Sequence, residues 1–106
     1  MSHTVVQRRS ARRDILEIID RISDDNPAAA AAVLKAYEYS LELLKTTPDM
    51  GRLYRSTDRR LAHIRVLPIH RYRNYLIFYR HLGERVDVLH IWHGARDIAA
   101  LLSDID

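Results

Sequence analysis

The sequence predicts an α+β domain in which a small, mainly antiparallel sheet carries an N-terminal helical hairpin on one face. Three observations lead there. Residues 74–80 and 86–93 are two runs of aromatic and β-branched residues joined by Leu82-Gly-Glu-Arg85, a β-hairpin pattern. Residues 10–47 carry apolar positions at helical spacing, interrupted only by Asn26-Pro27. Residues 61–67 form one further alternating, strand-like segment between these regions. The predicted order is β-α-α-β-β-β-α, and the 106 residues suit one domain over 1–106.

From the start, Thr4, Val5 and Val6 lean towards a short edge strand over His3 to Arg8. Ser10 is placed to cap a first helix, although Arg13 is not the Glu or Gln of a capping box. Ala11, Ile15, Ile18, Ile19 and Ile22 give that helix one apolar stripe, and Asp24-Asp25 end it. Asn26-Pro27 starts the second helix, with Pro at the first helical position where its missing N–H costs nothing. Ala30, Leu34, Tyr37, Leu41 and Leu44 repeat every three or four residues until Pro48. So short a link makes the helices antiparallel, and Ala28 to Ala32 allow close approach.

Thr47 to Gly51 is a predicted turn, and Arg52 to Arg60 a basic loop. The strand over Leu61 to Leu67 puts Ala62, Ile64 and Val66 on one face and His63 and Arg65 on the other, with Pro68 to Arg73 as connection. In the last strand His90 and Trp92 share one face, and Ile91 and His93 the other, so the two histidines do not form one acid–base pair. Ile98, Leu101, Leu102 and Ile105 predict a short final helix.

Charge is uneven. Residues 1–50 sum to −1 and residues 51–106 to +4, and fifteen of the seventeen basic residues are Arg. Arg presents a planar fork for carboxylate or phosphate, so this bias suits an anionic partner, although a genome that prefers Arg codons produces the same bias. Without cysteine, no disulfide or thiolate site is possible. There is no apolar run long enough to span a membrane and no signal-peptide core, so a soluble, cytoplasmic protein is expected. His63 and His70 lack the spacing of a zinc site, and no metal or other cofactor is expected.

Several local patterns, in this order, resemble the RelE/ParE superfamily of type II toxin–antitoxin toxins. They are Arg13-Asp14-Ile15-Leu16, Pro27 with its alanines, Pro48-x-x-Gly51-Arg52, Leu61-x-x-Ile64-Arg65-Val66, Tyr75-Leu-Ile-Phe-Tyr79 and His93-Gly94-Ala95-Arg96-Asp97. The resemblance covers nearly the whole chain. It implies a cognate, ParD-like antitoxin whose acidic C-terminal segment folds onto the toxin and neutralises it. It implies DNA only indirectly, through the antitoxin.

The superfamily divides by target. ParE-like members inhibit DNA gyrase without catalysis and serve in plasmid stabilisation, whereas RelE-like members cut mRNA in the ribosome. The nuclease subfamilies carry a Lys/Arg-rich sheet with a C-terminal Tyr. This chain reads His93-Gly94-Ala95 there and has no Lys after Lys45, so the ParE-like reading leads, with no catalytic residue. Its expected partner contacts are Arg52, Arg55, Arg59, Arg60, Arg65, Arg73, Tyr79, His93 and Arg96. Under the alternative, mRNA cleavage on the ribosome, the 2′-hydroxyl needs a base, cations for the phosphorane charge and an acid, for which Arg65, Arg73, His90 and His93 are the candidates. An inactive member that only binds its antitoxin is the second alternative.

Overall fold

The computed structural model describes residues 2–102. The elements in chain order are β1 (Thr4–Gln7), α1 (Arg9–Asp25), α2 (Pro27–Thr46), β2 (Arg52–Leu53), a 3₁₀ turn (Arg59–Leu61), β3 (Ile64–Ile69), β4 (Tyr72–Leu82), β5 (Arg85–His93) and α3 (Ile98–Leu102). The sheet order is β1-β5-β4-β3-β2. Only the β1–β5 pair is parallel; the other three pairs are antiparallel. This is the α+β architecture that the sequence predicts, with β1 at an edge and one additional short strand, β2.

The sheet separates two apolar clusters. On one side, Ala11, Ile15 and Ile18 of α1 and Tyr37, Leu41 and Leu44 of α2 pack on Leu67, Ile77, Val88 and Ile91. On the other side, Leu61, Ile64, Val66, Phe78, Leu89 and Trp92 are closed over by Leu102 of α3. The predicted α1 stripe is correct, with Ile19 and Ile22 at its half-buried margin. In α2 the stripe is rotated slightly: Val33 is buried, whereas Leu34 is 37 % exposed. Ile105 lies outside the described residues.

The start of α2 follows its sequence signal. The Asn26 side chain accepts from Ala29 N at 3.1 Å, with Pro27 at the first position. The start of α1 does not. Its N-cap is Arg8, without a side-chain cap, and Ser10 lies inside the helix. The reason lies in β5. Its ladder with β4 skips a residue, pairing Phe78 with His90 and Tyr79 with Val88, which leaves Leu89 bulged. The Ser10 hydroxyl donates instead to the Leu89 carbonyl at 2.7 Å, an acceptor that needs a partner.

The middle of the chain also departs from expectation. The basic segment is not all loop, because Arg52 and Leu53 pair with Val66 and Arg65 as an edge strand. The expected strand over Leu61 to Leu67 starts three residues late and runs on to Ile69. Asp58 caps the 3₁₀ turn through Arg60 N at 2.9 Å, and His63 takes a left-handed φ of 66°, which breaks the extended run. Ala62 is therefore exposed outside the strand. Pro68 is a strand residue rather than a connection, tolerated where the β3–β4 register shifts.

Two buried phenols make the fold sensitive to alkali. Burial raises both Tyr37 and Tyr79 above the ordinary phenol value of 10.0. Folding therefore favours their neutral forms. That stability is complete below about pH 10 and is lost as pH rises towards the raised folded values. A fall in urea midpoint between pH 9.5 and 11.5 is expected, about the pH where phenols begin to ionise. A shallower fall in Tyr37→Phe confirms it; an unchanged slope contradicts it.

Candidate partner-binding surface

The basic middle forms one edge of the sheet. Arg52, Arg55 and Arg59 are exposed, with no ion-pair partner among the described residues. Leu53, 52 % exposed, lies beside Arg52 on β2, and Met50 just before it is 42 % exposed. A short edge strand, exposed apolar side chains and guanidinium groups without ion-pair partners thus lie together here. Arg60 is less available. Its guanidinium forms a two-pronged bond with Asp58, at 3.2 and 2.7 Å, which holds the Asp58 carboxyl below its usual range.

Two of the expected contacts are engaged within the fold. Tyr79 is fully buried; its hydroxyl donates to Pro48 O at 2.7 Å and accepts from Gly51 N at 2.9 Å. No face of the ring remains for a partner. Arg65 lies opposite Tyr79 in the ladder and bends onto the same turn, donating to Gly51 O at 2.7 Å and Asp49 O at 3.2 Å. Together they lock residues 47–51, the link from α2 to the basic edge. His81 fastens the turn from the other hairpin, its Nδ1 2.7 Å from Asp49 Oδ1. That hydrogen bond, helped by Arg65, lowers the Asp49 carboxyl below its usual range.

The remaining candidates lie elsewhere. Arg73 is exposed near the start of β4. His93 Nδ1 accepts from Ala95 N at 3.0 Å, and its ring meets Tyr75 edge-on at 5.2 Å. With Tyr75, Asp14, Glu17, Arg21 and Arg96 it lines a cleft of only about 40 Å³. His90 instead pairs with Phe78 of the opposite cluster and stacks on Trp92 at 4.2 Å. The nuclease candidates therefore do not converge. Arg65 and His90 are on opposite faces, because cross-strand partners share a face. Arg65 and His93 are separated by four residues of β4, roughly 13 Å along the strand.

Sequence reasoning missed Asp14. Beyond Gln7, β1 no longer covers β5, and the Asp14 carboxylate replaces a strand partner there. It accepts from Ile91 N at 3.1 Å and lies 2.7 Å from His90 Nδ1. Nothing in the local sequence marks this contact, since its partners are 76 and 77 residues away. Asp14→Ala leaves the buried Ile91 N–H and the His90 ring without that acceptor. The expected loss is about 2 kcal/mol in urea unfolding; a loss within about 0.5 kcal/mol, as at an ordinary surface site, contradicts this role.

The described residues contain no group of three or more His, Asp or Glu side chains able to hold a metal, and no helix long and apolar enough to cross a membrane. The geometry, then, is a small sheet under a helical hairpin, with a basic edge and dispersed histidines. A family model for the ParE toxin of the type II toxin–antitoxin system parDE matches residues 5–98. The chain belongs to the ParE toxin family. Toxin RelE1 of Caulobacter vibrioides is 34 % identical over 94 residues, 89 % of this chain and 96 % of that protein. Among solved structures, a chain of the chromosomal ParDE TA system from P. aeruginosa shares the fold, with a TM-score of 0.70 at 18 % identity, covering 87 % of this chain and 96 % of its own. A chain of the toxin–antitoxin complex RelBE2 from Mycobacterium tuberculosis gives 0.61 at 25 % identity, covering 88 % and 99 %. This member of the RelE/ParE superfamily is accordingly a type II toxin–antitoxin toxin.

Proposed function

We propose that this ParE-family toxin acts without catalysis, by binding DNA gyrase, and is neutralised by a cognate antitoxin with an acidic C-terminal segment. The observation that carries the reading is the dispersal of Arg65, His90 and His93, which leaves Arg73 without the other three around it. A phosphoryl-transfer site needs its base, acid and cations within reach of one phosphate, and Arg65, His90 and His93 occupy both faces and distant registers of the sheet. The exposed arginines Arg52, Arg55 and Arg59, with Leu53, are instead suited to contact with a macromolecule. Arg73 and Arg96 are also exposed, apart from the basic edge, with half-buried His93 lining one cleft with Arg96. The cellular setting is the cytoplasm, where gyrase and the antitoxin would meet the toxin.

Kinship with Toxin RelE1 and the carboxylate-oriented His90 favour a second reading, a ribosome-dependent mRNA endoribonuclease. Induced expression without an antitoxin separates the two. Growth arrest with trapped gyrase–DNA complexes and intact message supports the first reading. Arrest with message cut in phase with codons contradicts it.

A further inference from the structure

We propose that the groove between α2 and the β3–β4 turn docks an acidic peptide segment, gripped by Lys35 and Arg71 with an apolar side chain seated between Tyr39 and Tyr72. The proposal rests on the reading above, in which an acidic antitoxin is the partner, and specifies where part of it binds. The groove has a volume of about 490 Å³, and none of Arg52, Arg55 or Arg59 lines it. Ala32 and Ala36 give it a floor of small side chains. Tyr39, 49 % exposed, stands over it, with its ring 4.9 Å from that of His70.

Its charge is one-sided. Lys35 and Arg71 line the groove, no acidic residue does, and neither cation has a hydrogen-bond or ion-pair partner among the described residues. Carboxylates are the missing counter-charges, and the exposed Tyr39 ring with half-buried Tyr72 supplies apolar contact area. Two full charges suit a short acidic peptide. A single-stranded RNA would call for a track of cations following successive phosphates, which the groove lacks.

The turn is also held in a demanding shape. Arg71 has a left-handed φ of 70°, a position where glycine or asparagine sits without steric cost. The neighbouring His70 N–H is tied to the buried Ser40 hydroxyl at 3.0 Å, and that hydroxyl donates to Ala36 O at 2.8 Å. An arginine kept at a strained backbone position, on a turn pinned to the helix opposite, has its Cα held at the groove, from which the side chain reaches the groove lining.

The test is fluorescence anisotropy of the full chain with a labelled Glu/Leu repeat peptide, its Gln/Leu counterpart and a labelled oligouridine RNA. The Glu/Leu peptide should bind, and added salt should weaken it. Lys35→Glu with Arg71→Glu should weaken it roughly tenfold. Arg71→Gly removes the cation while relieving the backbone, so it should melt no lower than the parent and still bind several-fold more weakly. Equal binding of the Gln/Leu peptide, unchanged affinity in these variants, absence of binding, or displacement of the peptide by the RNA overturns the proposal. Peptide binding by a chain that never arrests growth would leave the groove assignment standing and remove the toxin reading; arrest without peptide binding would do the reverse.

Discussion

Gly51→Ala is expected to destabilise the protein by about 2–3 kcal/mol, the range of overpacked core positions. An added Cβ would lie 2.7 Å from the Tyr79 hydroxyl, 2.9 Å from its ring and 3.0 Å from the Val66 carbonyl. None of these can retreat easily, because the ring is buried in the sheet and its hydroxyl holds Pro48 O and Gly51 N. Tyr79→Phe should cost about 2 kcal/mol by leaving both backbone groups without their partner. The two substitutions disturb one contact, so urea unfolding of the double variant should show a loss clearly below the sum. Full additivity would mean that the turn over residues 47–51 is not locked by this ring.

The second large effect is functional. Arg52→Glu, Arg55→Glu and Arg59→Glu combined should reduce target inhibition at least tenfold, since each reversal replaces an attraction with a repulsion. These side chains are exposed and unpaired among the described residues, so each should change stability by no more than about 0.5 kcal/mol. Full inhibition by a well-folded triple variant would move the target contact away from this edge.

What could be read in advance follows the physics of range. The helical hairpin was legible because Asn26-Pro27 and the Ile15–Ile18–Ile22 spacing are local signals. The β4–β5 hairpin was legible because aromatic and β-branched runs flank Gly83, which takes a φ of 62°. The β3 boundary was misread because the alternation of Ala62, Ile64 and Val66 continues past a left-handed His63 that only the tertiary fold imposes. Ser10 was misread because its better acceptor, the Leu89 carbonyl, is 79 residues away.

The site divides the same way. Exposed arginines in the middle were foreseeable from composition. The inward turn of Arg65 and the burial of Tyr79 were not, because they depend on Pro48, Asp49 and Gly51 returning beneath the sheet. The opposed faces of His90 and His93 were foreseeable from strand alternation, and the stacking of His90 on Trp92 agrees with them. The Leu89 bulge reverses the alternation just before His90, so the faces within residues 90–93 hold although the strand as a whole is out of phase.

The most direct measurement adds the purified chain to DNA gyrase and relaxed plasmid, beside a ribosome-dependent translation reaction with a labelled message. Loss of supercoiling with accumulation of cleaved gyrase–DNA complexes, and an uncut message, is the expected result. Normal supercoiling with codon-phased cuts in the message would contradict the central claim and return Arg65, Arg73, His90 and His93 to the role of catalytic candidates.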